Sequence, residues 1–290
     1  MTDGRLALVF DDGYLSDHAD IRPVLAEADA PASLAIVPSW LGGDGHLDES
    51  RLAELAADGW EVIAHGRRHR YLQAHRLAAD VSAGDERVRL DSEHVFPTED
   101  HAVYPGDGFE LADAATAESC TIAEKRAVDG DPVVELEAPI SASFAVDEAV
   151  FRPSEATVRD EIGGGKRDLE ALGYDPTTFV FPYDAADARA WSVAAAAYAA
   201  LPNAGVGSLP NPPETPGASL RRYYLETTHM TEGEIATYLD AVADCGGLGI
   251  LAGHSAWESV PPERVGWVVE AARERDVAVT TVREAVADGT

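Results

Sequence analysis

Two adjacent aspartates follow an apolar run near the start of the chain. In "RLALVFDDGY" the apolar residues 6–10 predict a short buried strand, and Asp11 and Asp12 come directly after it. Two like charges at the end of a buried strand repel each other and lose hydration, unless a cation lies beside them or one of them holds a proton. The pair therefore raises the question of what compensates its charge.

A pair of histidines answers this question with a metal ion. His65 ends the predicted strand 61–65, and His69 follows four residues later in "HGRRH". One helical turn would place both imidazoles on one face, and two imidazoles with one carboxylate are a familiar ligand set for a divalent ion. Gly66 stands where the helical zinc-protease motif has a glutamate, so that motif is excluded. We predict that one aspartate binds a metal ion and the other serves as a base.

Two further strand ends carry groups that could take part in chemistry. Pro182 and Tyr183 follow the predicted strand 177–181, and His254 follows the apolar segment "GLGILAG". In parallel α/β architectures, ligands and reactive groups gather at the carboxyl ends of the strands. The indole of Trp257, like that of Trp40, lies near a predicted strand end, where it could stack on a sugar ring.

Strands that alternate with helices must position these groups. The first third of the chain and its last half show this alternation, which predicts parallel βαβ units and a barrel or an open sheet. Residues 82–153 instead contain short β-type runs broken by turn signals, among them "HVF" and "HAVY". We predict an α/β domain formed by residues 1–81 and 154–290, with an inserted, mostly antiparallel β module at 82–153.

The composition excludes several classes of protein. The chain of 290 residues has 52 acidic and 22 basic residues and a net charge of −30, so nucleic acids and anionic membranes would repel it. The acidic residues are spread through apolar-periodic segments, a pattern that resembles proteins from salt-loving organisms. The sequence contains no run of eighteen apolar residues, so no membrane span is expected. No export signal is evident, and we expect a cytoplasmic location.

Four segments in order resemble the motifs of a known family. "VFDDGY", "HGRRH", "FVFPYD" and "ILAGHS" resemble those of the polysaccharide deacetylases, also called the NodB-homology or carbohydrate esterase family 4 group. The resemblance covers roughly residues 5–79 and 154–290. It implies a distorted (β/α)7 barrel, one divalent metal ion that is commonly zinc, and hydrolysis of N-acetyl groups on amino sugars.

The resemblance also implies a role for each motif residue. The roles are those of catalytic base for Asp11, metal ligands for Asp12, His65 and His69, oxyanion donor through the backbone amide for Tyr183, and general acid for His254. Pro182, Tyr183 and Trp257 are then the residues expected to contact substrate. His254 suits its role because imidazole titrates near neutral pH.

The third motif departs from the commonest form of the family. Val180 stands where an arginine usually supports the base, and Asp184 stands where a glycine is usual. "FVFPYD" is closer to the branch that acts on β-1,6-linked N-acetylglucosamine polymers. Arg221 and Arg222 lie near the position of a later family arginine, and the sequence assigns a role to neither.

Three hypotheses for function remain at this point. The first is a metal-dependent enzyme that removes acetyl groups from an N-acetylated sugar polymer or precursor. The second is a hydrolase of a small cyclic amide or ureide, similar to allantoinases, and the third is a non-catalytic barrel that serves as a scaffold. The β module at 82–153 could line the substrate groove or mediate homo-oligomer formation, and its sequence does not choose between these roles.

Overall fold

The computed structural model describes residues 4–91, 102–128, 131–204 and 209–287. Its β-strands are β1 (Arg5–Asp11), β2 (Ser33–Ile36), β3 (Glu61–Ala64), β4 (His75–Arg76), β5 (Arg87–Arg89), β6 (Gly108–Ala112), β7 (Ala117–Val128), β8 (Asp131–Leu136), β9 (Val150–Pro153), β10 (Asn203–Ala204), β11 (Arg221–Tyr224), β12 (Leu248–Gly253) and β13 (Ala278–Thr280). Its α-helices are α1 (Arg22–Glu27), α2 (Glu49–Ala57), α3 (Glu155–Arg159), α4 (Gly165–Ala171), α5 (Ala188–Ala197), α6 (Glu232–Cys245), α7 (Pro262–Arg273) and α8 (Val282–Ala287). In this part of the chain, each helix is too short or too polar to cross a bilayer.

A parallel sheet forms the core of the first of two compact units. Strand β1 is buried from Leu6 to Asp11, because its apolar side chains face neighbours on both sides of the sheet. It pairs in parallel with β12 from Arg5 to Phe10 and with β2 at its carboxyl end, and β2 in turn pairs with β3. The carboxyl ends of these strands therefore lie at one edge of the sheet, where the predicted chemistry was expected.

Short bridges close this sheet into a distorted barrel. Ala64 at the end of β3 bridges to Phe179, and Thr178 bridges to Ala200, just before β10. Strand β10 pairs with β11, and β11 pairs with β12, so the strand order returns to β1. The predicted strand 177–181 is thus present only as isolated bridges. The final strand, β13, pairs with residues 5–7 of β1. Strand β2 pairs with residues 9–11 on the same side of β1. The barrel fold predicted by the resemblance is confirmed.

The second compact unit carries an antiparallel sheet in the order β4-β9-β6-β7-β8-β5. The inserted, mostly antiparallel module is therefore present in the fold. The two units consist of Met1–Arg67, Gly165–Asp184 and Ala194–Thr290 for the first, and of Arg68–Gly164 and Ala185–Val193 for the second. The boundaries 1–81, 82–153 and 154–290 were drawn from composition, and they stay a prediction. The predicted "HVF" run at 94–96 and His101 of "HAVY" lie outside the described residues.

Two helices contain a π-helical turn. The segment Asp17–Ile21 precedes α1, and the segment Asp160–Gly164 joins α3 to α4. The sequence predicts a helix over residues 17–30 despite Pro23, and it predicts that the triple glycine Gly163 to Gly165 weakens or interrupts a helix. Both segments are helical, but a wider turn shifts the phase of the side chains by one residue.

Candidate active site

The turn after β1 aims the two aspartates in different directions. Asp11 is the last residue of the strand, whereas Asp12 and Gly13 have left-handed φ values of 74° and 67°. A Cβ atom on Gly13 would lie 2.8 Å from the Cδ1 atom of Ile36, so both the conformation and the space favour glycine there. The sharp turn explains how neighbouring carboxylates reach different partners.

Asp12, His65 and His69 form a buried group that could hold a metal ion. Their ligand atoms all lie within 4.8 Å of one another. His65 follows β3 directly, and its Nδ1 lies 2.9 Å from the carbonyl oxygen of Val180. Because a carbonyl only accepts hydrogen bonds, this contact places the proton on Nδ1 and leaves the Nε2 lone pair, 3.4 Å from Asp12 Oδ1, available for a metal.

The donor set and its surroundings fit a divalent ion. One carboxylate oxygen and two imidazole nitrogens match the ligands that zinc and related ions take in sites with open positions. His65 is oriented from behind by a backbone carbonyl, which is the usual arrangement around a metal-binding histidine. The predicted group is thus brought together by the fold, while the roles of its members stay a prediction.

Asp11 has a buried cationic partner that the sequence did not assign. The Nη1 atom of Arg222 on β11 donates to Asp11 Oδ1 at 2.8 Å, and its Nε atom donates to Asp184 Oδ1 at 2.9 Å. Burial raises the pKa of Asp11, but Arg222, His65 and His254 outweigh it, so the pKa lies below its usual value.

His254 is held by a second carboxylate that the sequence did not single out. Its Nδ1 donates to Glu226 Oε1 at 3.1 Å, and its Nε2 lies 3.7 Å from Asp12 Oδ2. Burial lowers the pKa of His254, but the carboxylates of Glu226, Asp11 and Asp12 raise it by a larger amount, so the net change is upward. The imidazole is therefore oriented with Nε2 toward the carboxylates at the end of β1.

Trp257 covers one face of this imidazole. The two rings are stacked, with their centroids 3.8 Å apart and an interplanar angle of 13°. Trp257 is nevertheless 47% exposed, so part of the indole is open to solvent beside His254. The ring of Trp40 packs on that of His46, which also stacks on Tyr14.

Pro182 and Tyr183 lie in a short 3₁₀ turn directly after the strand-like segment that bridges to β3. Tyr183 and Asp184 both have left-handed backbone conformations, with φ values of 59° and 51°. The Asp184 carboxylate accepts from Arg222 and from the Tyr224 hydroxyl at 3.1 Å. The aspartate that replaces the usual glycine is therefore tied to the arginine that holds Asp11.

Asp17 is a further buried acid beside these residues. It begins the first π-helical segment and is fully buried. Burial, with a smaller contribution from Asp12 and Asp11, raises the pKa of Asp17 to about 8, although Ser255 partly offsets this. The polar neighbours of Asp17 in "LSDHAD" indicate an exposed side chain, so no pattern in the sequence marks this aspartate as buried.

Comparisons with known proteins concern the family and the fold of this chain. Residues 1–94 match a family described as polysaccharide deacetylase, while no curated protein sequence matches the chain. Two solved structures are similar over nearly the whole chain, each with a TM-score of 0.51 and 11% identity. One is the Xyl-CE4 domain of a multidomain xylanase from the hindgut metagenome of Trinervitermes trinervoides, with 99% of this chain and 91% of that chain covered. The other is a family 4 carbohydrate esterase from Streptomyces lividans in complex with acetate, with 96% and 92% covered.

A third similar structure is a carbohydrate esterase family 4 pseudoenzyme from Bacillus anthracis. Its TM-score is 0.50 at 10% identity, and 98% of this chain and 66% of that chain are covered. At such identities the structural likeness shows the fold alone, and the match over residues 1–94 is the evidence for the family. Together they confirm the predicted resemblance of this chain to the polysaccharide deacetylase family, the NodB-homology or carbohydrate esterase family 4 group.

Proposed function

We propose that this protein is a metal-dependent hydrolase that removes N-acetyl groups from an amino-sugar polymer or its precursor. The main support for this proposal is that three sets of side chains lie together at the carboxyl ends of the strands. These sets are the Asp12, His65 and His69 group, the Asp11–Arg222 pair and the His254–Glu226 pair. A scaffold would need no acid and base arranged beside a metal-ligand set.

The metal ion would be held by Asp12, His65 and His69, and zinc suits these ligands. When bound, a divalent ion supplies a positive charge that polarises an amide carbonyl and makes water more acidic. The backbone N–H of Tyr183 is proposed to donate to the oxygen on which negative charge develops.

Asp11 is proposed to take a proton from the attacking water. A base must be ionised before it reacts, and Arg222 keeps Asp11 charged although it is buried. The same contact fixes the orientation of the carboxylate, because the guanidinium is itself held by Asp184 on its other edge.

His254 is proposed to return a proton to the leaving nitrogen. Glu226 accepts from Nδ1, so the Nε2 atom is the one that presents a proton to the substrate. The raised pKa of His254 favours the protonated imidazole that a general acid requires. Trp257, which is stacked on this ring and partly exposed, is proposed to contact a sugar ring of the substrate.

The test is acetate release from N-acetylglucosamine oligomers and from a cell-surface extract in molar KCl. We expect release that a chelator abolishes and added zinc restores, and we expect Asp11→Asn to keep stoichiometric zinc while it loses turnover. Equal turnover in Asp11→Asn would exclude the proposed base. Bound metal without release from any sugar would favour a small cyclic amide as substrate, and absence of both would favour the scaffold.

A further inference from the structure

The backbone at His69 has a conformation that costs energy. Its φ of 62° lies in the left-handed region, which is disfavoured for a residue with a Cβ atom. Such a residue keeps its conformation only where neighbouring contacts hold it. The contacts that hold this segment therefore decide where the His69 imidazole lies.

Glu161 holds the two residues that flank His69. Its Oε1 atom accepts from the backbone N–H of Arg68 at 2.9 Å and from the backbone N–H of Arg70 at 2.9 Å. Its Oε2 atom accepts from Nη1 of Arg70 at 2.6 Å. The Glu161 side chain is fully buried, so these three bonds are made away from water, where they are strongest.

The π-helical segment Asp160–Gly164 provides the place from which Glu161 reaches this backbone. Such turns are rare and occur often at functional sites, because they change the direction of one side chain within a helix. A purely electrostatic partner for Arg70 would not need this turn, since Asp107 already accepts from the Arg70 Nε atom through both carboxylate oxygens at 3.0 Å. The bonds to the backbone are what Glu161 adds.

We propose that Glu161 is a positioning residue for metal binding, because its carboxylate fixes the backbone on both sides of His69. This inference rests on the proposed metal site, and it adds a residue that touches neither metal nor substrate. Residues that orient a metal ligand in this way change the affinity for the ion when they are altered, by roughly tenfold to a hundredfold.

The experiment measures Co²⁺ binding to the whole protein by competition with a chromophoric chelator, together with the visible spectrum of the bound ion. We expect Glu161→Ala to bind Co²⁺ about tenfold to a hundredfold more weakly, with a spectrum altered in the direction of His69→Ala. Glu161→Gln keeps an oxygen that can accept from both N–H groups, so its affinity should stay within about threefold of the unaltered protein.

Asp107→Asn is the matched control. It weakens a different ion pair of Arg70 but leaves the bonds from Glu161 to the backbone in place, so we expect unchanged Co²⁺ affinity. If Glu161→Ala does not fold, Glu161→Asp replaces it, because the shorter side chain keeps the charge and withdraws the oxygen from the backbone.

The outcomes separate this inference from the proposed function. Unchanged affinity and spectrum in folded Glu161→Ala or Glu161→Asp would overturn the positioning role while the metal site stands. An equal loss in Asp107→Asn would also overturn it, because charge balance at Arg70 would then be the cause. Absence of Co²⁺ binding to the unaltered protein would overturn the metal site itself, and with it the inference.

Discussion

The cation beside Asp11 comes from Arg222 on β11 and not from the third-motif position, which Val180 occupies. Val180, at the usual place of the supporting arginine, is fully buried in the barrel core and offers only its carbonyl to His65. Arg222 approaches Asp11 from β11 instead, and bonds Asp184 as well. A buried carboxylate such as Asp11 needs a cation beside it for a physical reason, so the position that supplies the charge can change while the charge stays.

Removal of this cation should strongly destabilise the fold. In Arg222→Met, the buried Asp11 and the partly buried Asp184 would be left as charges without their arginine, and we expect the free energy of unfolding to fall by about 3–5 kcal/mol. Urea denaturation in molar KCl measures the change. The double variant Arg222→Met with Asp11→Asn should recover part of the loss, because one of the two uncompensated charges is then absent. If Arg222→Met alone were as stable as the unaltered protein, Arg222 would not stabilise the fold through Asp11 and Asp184.

The sequence was sufficient for residues that sit in motifs and insufficient for those that support them. Asp12, His65 and His69 could be predicted as a group because their types match a known ligand chemistry, Asp12 and His65 each follow a strand, and His69 lies four residues after His65. Arg222 and Glu226 lie on and just after β11, and their partners are set by long-range strand pairing that no local pattern reports. Glu226 does follow a strand in "RRYYLE", and that signal could have marked it as a candidate.

At the scale of elements, helix packing requires a glycine within the triple glycine Gly163 to Gly165, although glycine has a weak helix propensity. The last of the three, Gly165, begins α4, and a Cβ atom placed there would lie 2.7 Å from the carbonyl oxygen of Gly66. The helix therefore approaches the backbone directly after His65. The sequence predicts a helix that is weakened or interrupted here, and in the structure a π-helical turn separates α3 from α4.

Gly165→Ala tests this close approach. Alanine is favoured over glycine in a helix by about 1 kcal/mol, but the clash with Gly66 should reverse the sign and lower the free energy of unfolding by about 1–3 kcal/mol. Gly233→Ala in α6 is the control, because a Cβ atom there meets nothing within 4 Å. We expect that control to be neutral or stabilising by up to about 1 kcal/mol. Thermal or urea unfolding of both variants measures the difference. Stabilisation by both substitutions would show that α4 does not lie this close to Gly66.

At the scale of the whole molecule, charge is the dominant feature. The excess of 30 acidic residues cannot be neutralised by pairing, because the 22 basic residues are already fewer than half of the acids. Surface pairs such as Arg22–Glu54 and Arg275–Asp240 are open to solvent, which screens them, so each contributes little to stability. Repulsion among the remaining carboxylates therefore outweighs the attraction that the surface pairs provide.

Salt should consequently stabilise this protein. Molar KCl shortens the screening length from about 10 Å to about 3 Å, which removes more repulsion than attraction in a chain of this composition. We expect the Tm to rise by at least about 5 °C between 0.1 M and 2 M KCl at pH 7, as several kcal/mol of relieved repulsion would produce in a chain of this size. Differential scanning calorimetry of the chelator-treated protein measures the change without a contribution from bound metal.

The origin of that gain can be tested through pH. The isoelectric point is near 4.4, so at pH 5.5 part of the carboxylates are protonated and the net charge is smaller. If relief of charge repulsion is the cause, the same increase in KCl should raise the Tm by less at pH 5.5 than at pH 7. An equal gain at both pH values would instead indicate a general effect of salt on apolar burial. A Tm in 2 M KCl no higher than in 0.1 M would show that this fold tolerates its charge without salt.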